Sequence, residues 1–280
     1  MIFKEVRKTK NTIETRKKEA ETILKKCAKL YKERLLNKNV MFITMKAGKE
    51  IQAFEVRFLK ENFLHLTGVE INKEEISSKA FFDRCINNKI SINDFEFRKD
   101  NTTDMKLKIL QTLVTIDMTA NILGDFDYTK MFLQTKKMAG NISACMGFQY
   151  YQNIHAYIPN TALKEDIRNI TINRARIVTI LKKDVKQKLY SDITYIAKNI
   201  NIFEILNNKN IKKKIDFQNL YSKKDSYKSF LSKLNPWDIN LRCILYVNLL
   251  LNFKKYGTIM LIICFDYGKV AFVPRERKGV

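Results

Sequence analysis

The chain has 280 residues, 45% of them hydrophobic, and a formal net charge of +23. This hydrophobic content is typical of a folded protein and excludes general disorder, while the excess of 52 Lys and Arg over 29 Asp and Glu favours a polyanionic partner. Nucleic acid is the first interpretation, and an anionic membrane surface or the lysine enrichment of an AT-rich genome are the alternatives.

Cysteines, histidines and apolar stretches limit the cellular setting. The five cysteines form no CxxC pair and only two histidines accompany them, so we expect free thiols and no zinc site. The N-terminus lacks the apolar region of a signal peptide, and the apolar stretches are shorter than the roughly 20 residues of a membrane span. The sequence therefore predicts a cytoplasmic protein with no metal, no cofactor and no membrane partner.

The first half of the chain begins with a helix. Apolar residues recur at helical spacing over residues 12–37, which predicts an amphipathic helix. Alternating side chains then predict strands near 40–45 and 51–58, joined by a glycine-containing turn. A longer helix is predicted from Asp104 to about Thr119.

The second half returns to strands. Alternation predicts a strand over 142–151 and another near 174–182, and Pro159 is expected in a turn between them. The chain beyond residue 200 has a lysine-rich stretch and a terminal hairpin with its turn at Asp266–Gly268.

Helices mixed with antiparallel strands, without regular βαβ alternation, indicate the α+β class. We expect N-terminal helices packed on a small antiparallel β-sheet, with a C-terminal α/β extension. The corresponding domains are 1–199 and a basic extension of unknown role over 200–280.

The common phosphate-binding and metal-binding motifs are missing, since the sequence has no GxxxxGK[ST], GxGxxG or HExxH segment. This leaves nucleases without a metal, in which a base and an acid act on the RNA 2′-hydroxyl and the leaving oxygen. His65, in the segment FLHLTGV, is the first candidate for either role, and His155 is a weaker one. The alternative for His65 is a core histidine, because Phe63, Leu64 and Leu66 flank it.

A polar cluster follows the proline. Asn160 and Thr161 come directly after Pro159 and Lys164 lies shortly beyond them, where a helix start would present N–H groups to phosphate. A simple turn and helix cap is the favoured explanation for Asn160 and for Asp166 nearby.

Further candidates are basic or aromatic. Arg174 and Arg176 fall on one face of a predicted strand and are candidates for a phosphate clamp, with a solvated face as the alternative. Lys136 and Lys137 precede another strand and have the same two interpretations. Tyr190 is a candidate for base stacking or acid catalysis, although most tyrosines are packing residues.

Several segments, taken in order, resemble a known family. ENFLHLTGV, AFFDRCINNKIS, GNISACMGF, YIPNTALKEDIR and IVTILKK resemble a phage-associated nuclease family of the superfamily that groups barnase, EndoU, colicin-type tRNases and RelE. The resemblance spans roughly residues 20–200, which makes 1–199 the nuclease domain. It implies N-terminal helices on a small antiparallel sheet and a metal-independent RNase used as a toxin or in phage conflict.

The resemblance transfers His65 and Asn160–Thr161 as motif positions. With the composition, it predicts an RNA endonuclease that cleaves by 2′-OH transesterification, acts on tRNA or mRNA, and is neutralised by an antitoxin. The catalytic candidates are His65, Thr161, Arg176 and Tyr190, and the RNA-binding candidates are Lys136, Lys137, Asn160, Lys164 and Arg174. The alternatives are a non-catalytic nucleic-acid-binding protein of a phage or mobile element, and a structural protein that is basic only by drift.

Overall fold

A computed structural model describes residues 2–46, 50–222, 261–264 and 270–273. The chain divides into two compact units, residues 1–227 and 228–280. The assignment of residues 200–280 to a separate extension stays a prediction. No helix within the described residues combines the length and hydrophobicity needed to cross a bilayer.

Helices and strands alternate irregularly in the first unit. The helices are α1 (Ile2–Arg34), α2 (Asn62–Thr67), α3 (Ser78–Ile86), α4 (Thr102–Leu113), α5 (Ile116–Thr119), α6 (Ile167–Ile170), α7 (Ile202–Asn207), α8 (Lys209–Lys212) and α9 (Phe217–Ser222). The strands are β1 (Lys38–Met45), β2 (Ile51–Phe58), β3 (Val69–Glu70), β4 (Glu96–Phe97), β5 (Ile122–Phe126), β6 (Lys137–Gly140), β7 (Cys145–Tyr151), β8 (Ala156–Leu163), β9 (Thr171–Asp184) and β10 (Asp192–Ile196).

In the second unit, β11 (Leu261–Cys264) and β12 (Val270–Val273) pair antiparallel. They lie where the sequence predicts the terminal hairpin. The predicted turn at Asp266–Gly268 lies outside the described residues.

Seven strands close into a mixed β-barrel in the order β1-β2-β8-β7-β6-β5-β9, and β9 returns to β1. Strand β1 makes the closure because it pairs antiparallel with both β2 and β9, which places Phe42 opposite Phe54 and Ile180. The β2–β8 contact is parallel, at Val56 and Tyr157. Strand β10 extends the sheet from β9.

The closed barrel shows that the predicted fold class was wrong. Strands do occur close to 40–45, 51–58, 142–151 and 174–182. However, alternation reveals which face of a strand is apolar and not which strand pairs with it, so an open antiparallel sheet was the simplest assumption. Helix α1 packs mainly on α3 and α4, and Tyr31 makes its contact with the sheet, since the Tyr31 ring lies 6.2 Å from that of Phe58 in β2.

Aromatic side chains join the barrel to the helices. The ring of Phe148 lies 6.1 Å from that of Phe42 and 5.7 Å from that of Phe54. On the helical side, the buried ring of Tyr31 lies 5.4 Å from that of Phe63 in α2. Burying a side chain of this size stabilises the fold by roughly 1.5–3 kcal/mol, so α2 is anchored against the core.

Candidate active site

Two adjacent cavities of about 450 and 400 Å³ share His65, Asn160 and Thr161 as lining residues, and we call the pair the cleft. We call the first the cationic cavity, because Lys73, Arg98 and Lys106 also line it. We call the second the amide cavity, because glutamine and asparagine side chains line it. The motif positions His65 and Asn160–Thr161 are therefore brought together.

Helix α2 presents His65 to solvent while its neighbours are buried. Phe63 and Leu66 are fully buried, whereas His65 is exposed. Asn62 fixes the start of the helix, since its Nδ2 donates to Pro159 O at 3.2 Å. The interpretation of His65 as a core histidine is therefore wrong, because three flanking apolar residues indicate the buried face of the helix and not the direction of the histidine.

The end of α2 is held by α4. Gly68 has a φ of +71°, which glycine adopts without strain, and its carbonyl accepts from Thr103 Oγ1 at 2.6 Å. Lys106 Nζ donates to the carbonyl oxygen of His65 at 3.0 Å. A Cβ at position 68 would lie 2.7 Å from Lys106 Cδ, so the glycine also allows Lys106 to approach the cleft.

The electrostatics of the cationic cavity favour a neutral imidazole. Partial burial of the ring lowers the pKa of His65, and Lys106, Lys73 and Arg98 lower it further. Burial, followed by the charge of Arg98, also lowers the pKa of Lys106. At neutral pH the cleft thus holds a histidine able to accept a proton and a lysine that gives up its proton more readily than usual.

Carboxylates are scarce in the cleft. Glu70 is the one carboxylate among the residues that line the two cavities, and its Oε1 lies 3.8 Å from Arg98 Nε. Across the described residues, no group of three or more His, Cys, Asp or Glu side chains is arranged to hold a metal ion. The charge of the cationic cavity suits an anion such as phosphate.

A β-bulge places Asn160 and Thr161. Phe148 pairs with Pro159 and Gly147 with Thr161, so Asn160 is the extra residue in β8. The predicted turn at Pro159 was therefore wrong. Proline is compatible with a strand next to a bulge, where one ladder hydrogen bond is already missing.

The side chain of Asn160 links β8 to the preceding loop. Its Oδ1 accepts from Thr135 Oγ1 at 2.8 Å, and its Nδ2 donates to the carbonyl oxygen of Gln134. Asn160 is accordingly not a helix cap. Asp166 is one, since it accepts from the backbone N–H of Arg168 at 2.9 Å at the start of α6.

Tyr190 is placed away from the cleft. It is fully buried and its hydroxyl donates to Glu55 Oε2 at 2.8 Å, while Lys214 pairs with the other oxygen of that carboxylate. Burial and the charge of Glu55 raise the pKa of Tyr190 well above its ordinary value. Tyr190 lines neither cavity, so its geometry is that of a packing residue.

The two arginines of β9 are exposed but line neither cavity. Arg176 Nη2 donates to Lys198 O at 3.0 Å, and Arg174 Nη1 donates to Arg168 O at 2.9 Å. They share a face, as predicted, but their guanidinium groups bind the protein backbone.

The three predicted lysines also lie outside the cleft. Lys136 and Lys164 are exposed, and Lys137 forms an ion pair with Asp125. None of them lines either cavity. These lysines could therefore contact RNA only where a bound RNA strand extends beyond the cleft.

Sequence reasoning missed most of the polar lining. Lys73, Arg98, Lys106, Gln134 and Gln149 come from five separate positions. In a chain with 52 Lys and Arg, no single lysine or arginine stands out from its neighbours. The only local signal for this lining was Gly68, because it belongs to the segment FLHLTGV that also contains His65.

A model of a known protein family matches more than half of the chain. The model of the family described as phage-Barnase-EndoU-ColicinE5/D-RelE like nuclease4 matches residues 23–199. The matched region contains His65, Thr161 and the three cations of the cationic cavity, and it confirms the resemblance inferred from the motifs. No curated protein and no solved structure shows a significant match to the chain.

Proposed function

The chain belongs to the phage-Barnase-EndoU-ColicinE5/D-RelE like nuclease family, and from this premise we propose that it is an endoribonuclease that needs no metal ion. The observation on which the proposal depends is the composition of the cleft. His65 and Thr161, from motifs far apart in sequence, line one cavity together with Lys73, Arg98 and Lys106. A proton acceptor beside a cationic phosphate site is what cleavage by the RNA 2′-hydroxyl requires.

In the proposed reaction, His65 accepts the proton of a ribose 2′-hydroxyl. The freed oxygen attacks the adjacent phosphorus, and the bond from phosphorus to the 5′-oxygen breaks. The products are a 2′,3′-cyclic phosphate and a 5′-hydroxyl. The lowered pKa of His65 supports this role, because a base must be unprotonated at the working pH.

The cations act on the phosphate and on the leaving group. Lys73 and Arg98 stabilise the negative charge that develops on the phosphate oxygens, and the Thr161 hydroxyl is an additional donor. We assign protonation of the leaving 5′-oxygen to Lys106, since its lowered pKa makes it a better acid than an ordinary lysine. Arg176 and Tyr190 have no role in this scheme, because neither lines the cleft.

The biological setting is a further part of the proposal. We propose a toxin or phage-conflict effector that acts in the cytoplasm on tRNA or mRNA and is controlled by a neutralising antitoxin. The exposed Lys136, Lys164 and Arg174 would contact RNA outside the cleft.

The test compares two oligonucleotides in EDTA. One is DNA with a single ribonucleotide, and the other is the same sequence entirely as DNA. We expect cleavage only of the first, directly 3′ of the ribonucleotide, with a 2′,3′-cyclic phosphate or the derived 3′-phosphate detected by mass spectrometry. Cleavage of both oligonucleotides, or cleavage that EDTA abolishes, would exclude the proposed mechanism.

A further inference from the structure

The amide cavity differs in chemistry from the cationic cavity beside it. Apart from His65, the residues that line it carry no charged side chain, and they include Leu133, Gln134, Gln149 and Tyr151. A neutral cavity with amides, a hydroxyl and an aromatic ring does not suit a second phosphate. It suits a planar, neutral group with hydrogen-bonding edges.

Two of the amides are free to bind such a group. The side chains of Asn62 and Asn160 are engaged with the backbone, as Asn62 Nδ2 donates to Pro159 O and Asn160 Nδ2 to Gln134 O. Gln149 Oε1 accepts only a long 3.5 Å contact from Asn160. Within the described part of the chain, the carboxamide of Gln134 has no hydrogen-bond partner.

Aromatic surface stands beside these amides. Tyr151, which lines the cavity, is 47% exposed. An exposed aromatic ring in a cavity wall gains stability when it stacks on another ring. The loop that carries Leu133 and Gln134 is held in place nearby, because Tyr128 Oη donates to Thr135 O at 2.7 Å.

We propose that the amide cavity binds one unstacked nucleobase, so that the enzyme selects its cleavage site by base. The inference rests on the proposed function, because the base belongs to a nucleotide whose phosphate occupies the cationic cavity. The adjacency of the two cavities, which share His65, Asn160 and Thr161 as lining residues, supports it. Gln134 and Gln149 hydrogen-bond the base edge, and Tyr151 stacks on its face, which is how proteins recognise splayed single-stranded bases.

Binding of uncleavable strands tests the proposal directly. Short single-stranded DNA oligonucleotides lack the reacting 2′-hydroxyl, and their central nucleotide is made abasic or given each of the four bases. Fluorescence anisotropy with the wild-type protein should show at least one base bound about 10-fold more tightly than the abasic strand, within the range of one stacking contact.

Variants of the cavity should reduce that ratio. We expect Gln149→Ala to lower it about 3- to 10-fold, as for one lost hydrogen bond, and Tyr151→Ala to lower it about 5-fold or more. Gln152→Ala is the matched control, because Gln152 is exposed and lines neither cavity. It should keep the wild-type ratio.

The nucleobase proposal and the endoribonuclease proposal can fail independently in these experiments. If abasic and base-containing strands bind equally, the nucleobase proposal is overturned even if the protein cleaves RNA, and the cavity would be free for a protein partner. If RNA is not cleaved in EDTA but the base-dependent ratio persists and falls in Gln149→Ala, the nucleobase site stands and the endoribonuclease proposal fails.

Discussion

At the scale of single residues, the surroundings of His65 set the pH range in which it is neutral. The motif FLHLTGV was enough to single out this histidine, and PNT singled out Thr161. The cations around them could not be predicted, because Lys73, Arg98 and Lys106 meet His65 only through the packing of α2, α4 and the β3–β4 segment.

The pH dependence of cleavage should reveal the effect of these cations on the pKa of His65. Since the pKa of His65 lies below its ordinary value of 6.5, the rate should fall with decreasing pH only at values lower than that. Lys73→Gln removes a positive charge that disfavours the protonated ring, so the pKa should rise and the acid limb of kcat/KM should move to higher pH.

The control for this shift is Lys18→Gln, because Lys18 pairs with Glu14 on α1 and lines neither cavity. Its profile should match that of the wild type. Identical acid limbs in the wild type and Lys73→Gln would show that His65 is not the group titrating.

At the scale of elements, the bulge between β7 and β8 determines where Thr161 lies. The sequence predicted a strand up to residue 151 but placed Pro159 in a turn, because local turn chemistry does not reveal an irregular strand. Gly147 makes the bulge possible, since a Cβ there would lie 2.5 Å from Thr161 Cγ2 and 2.7 Å from Thr135 Oγ1.

Gly147→Ala should therefore displace Thr161 and lower kcat/KM by at least about 10-fold, with a loss of stability of roughly 1–3 kcal/mol from overpacking. The comparison is Gly124→Ala, in which a Cβ would lie 2.7 Å from Thr171 Cβ, because Thr171 lines neither cavity whereas Thr161 lines both. Chemical denaturation should give similar losses for both variants, while kinetics should separate them. Equal activity would argue against a role for the bulge in the site.

A buried carboxylate joins four elements. Asp117 of α5 is fully buried, and its oxygens accept from Arg34 Nε and Nη2 at 3.0 and 2.8 Å and from Lys182 Nζ at 3.0 Å. Its backbone carbonyl accepts from Thr194 Oγ1 at 2.6 Å. These contacts connect α5 to α1, β9 and β10.

Asp117→Asn should destabilise the protein by about 3–5 kcal/mol, because it leaves two largely buried cations without a counter-charge. Asp184→Asn removes an exposed partner, that of Lys38, and should cost no more than about 1 kcal/mol. Urea denaturation of both variants checks the difference. A loss below 1 kcal/mol for Asp117→Asn would show that the buried contacts contribute little.

At the scale of the whole molecule, strand positions were predictable and their arrangement was not. The closing ladder pairs Lys38 with Asp184, which are distant in sequence, and the β2–β8 contact is parallel. Neither feature produces a local pattern in the sequence. The charge of the molecule, in contrast, is a property of the composition alone.

A net charge of +23 predicts RNA binding that weakens steeply with salt, because bound phosphates release counterions. For single-stranded RNA, each phosphate contact contributes about 0.7 to the slope of log affinity against log salt concentration. Arg98→Gln should reduce the slope by about that amount, and Lys18→Gln should not. A wild-type slope near zero would contradict a nucleic-acid partner.

The central claim is that His65 performs metal-independent cleavage of RNA. The most direct measurement is the initial rate of RNA cleavage in EDTA by the wild type, His65→Ala and His155→Asn. His155 is exposed, lines neither cavity and has a φ of +47°, which asparagine tolerates.

We predict that His65→Ala lowers the rate by about 10²–10⁴-fold, the usual contribution of a positioned acid or base, while circular dichroism shows an unchanged fold. His155→Asn should cleave at the wild-type rate. Equal cleavage by the wild type and His65→Ala, or no cleavage of RNA by the wild type, would contradict the claim.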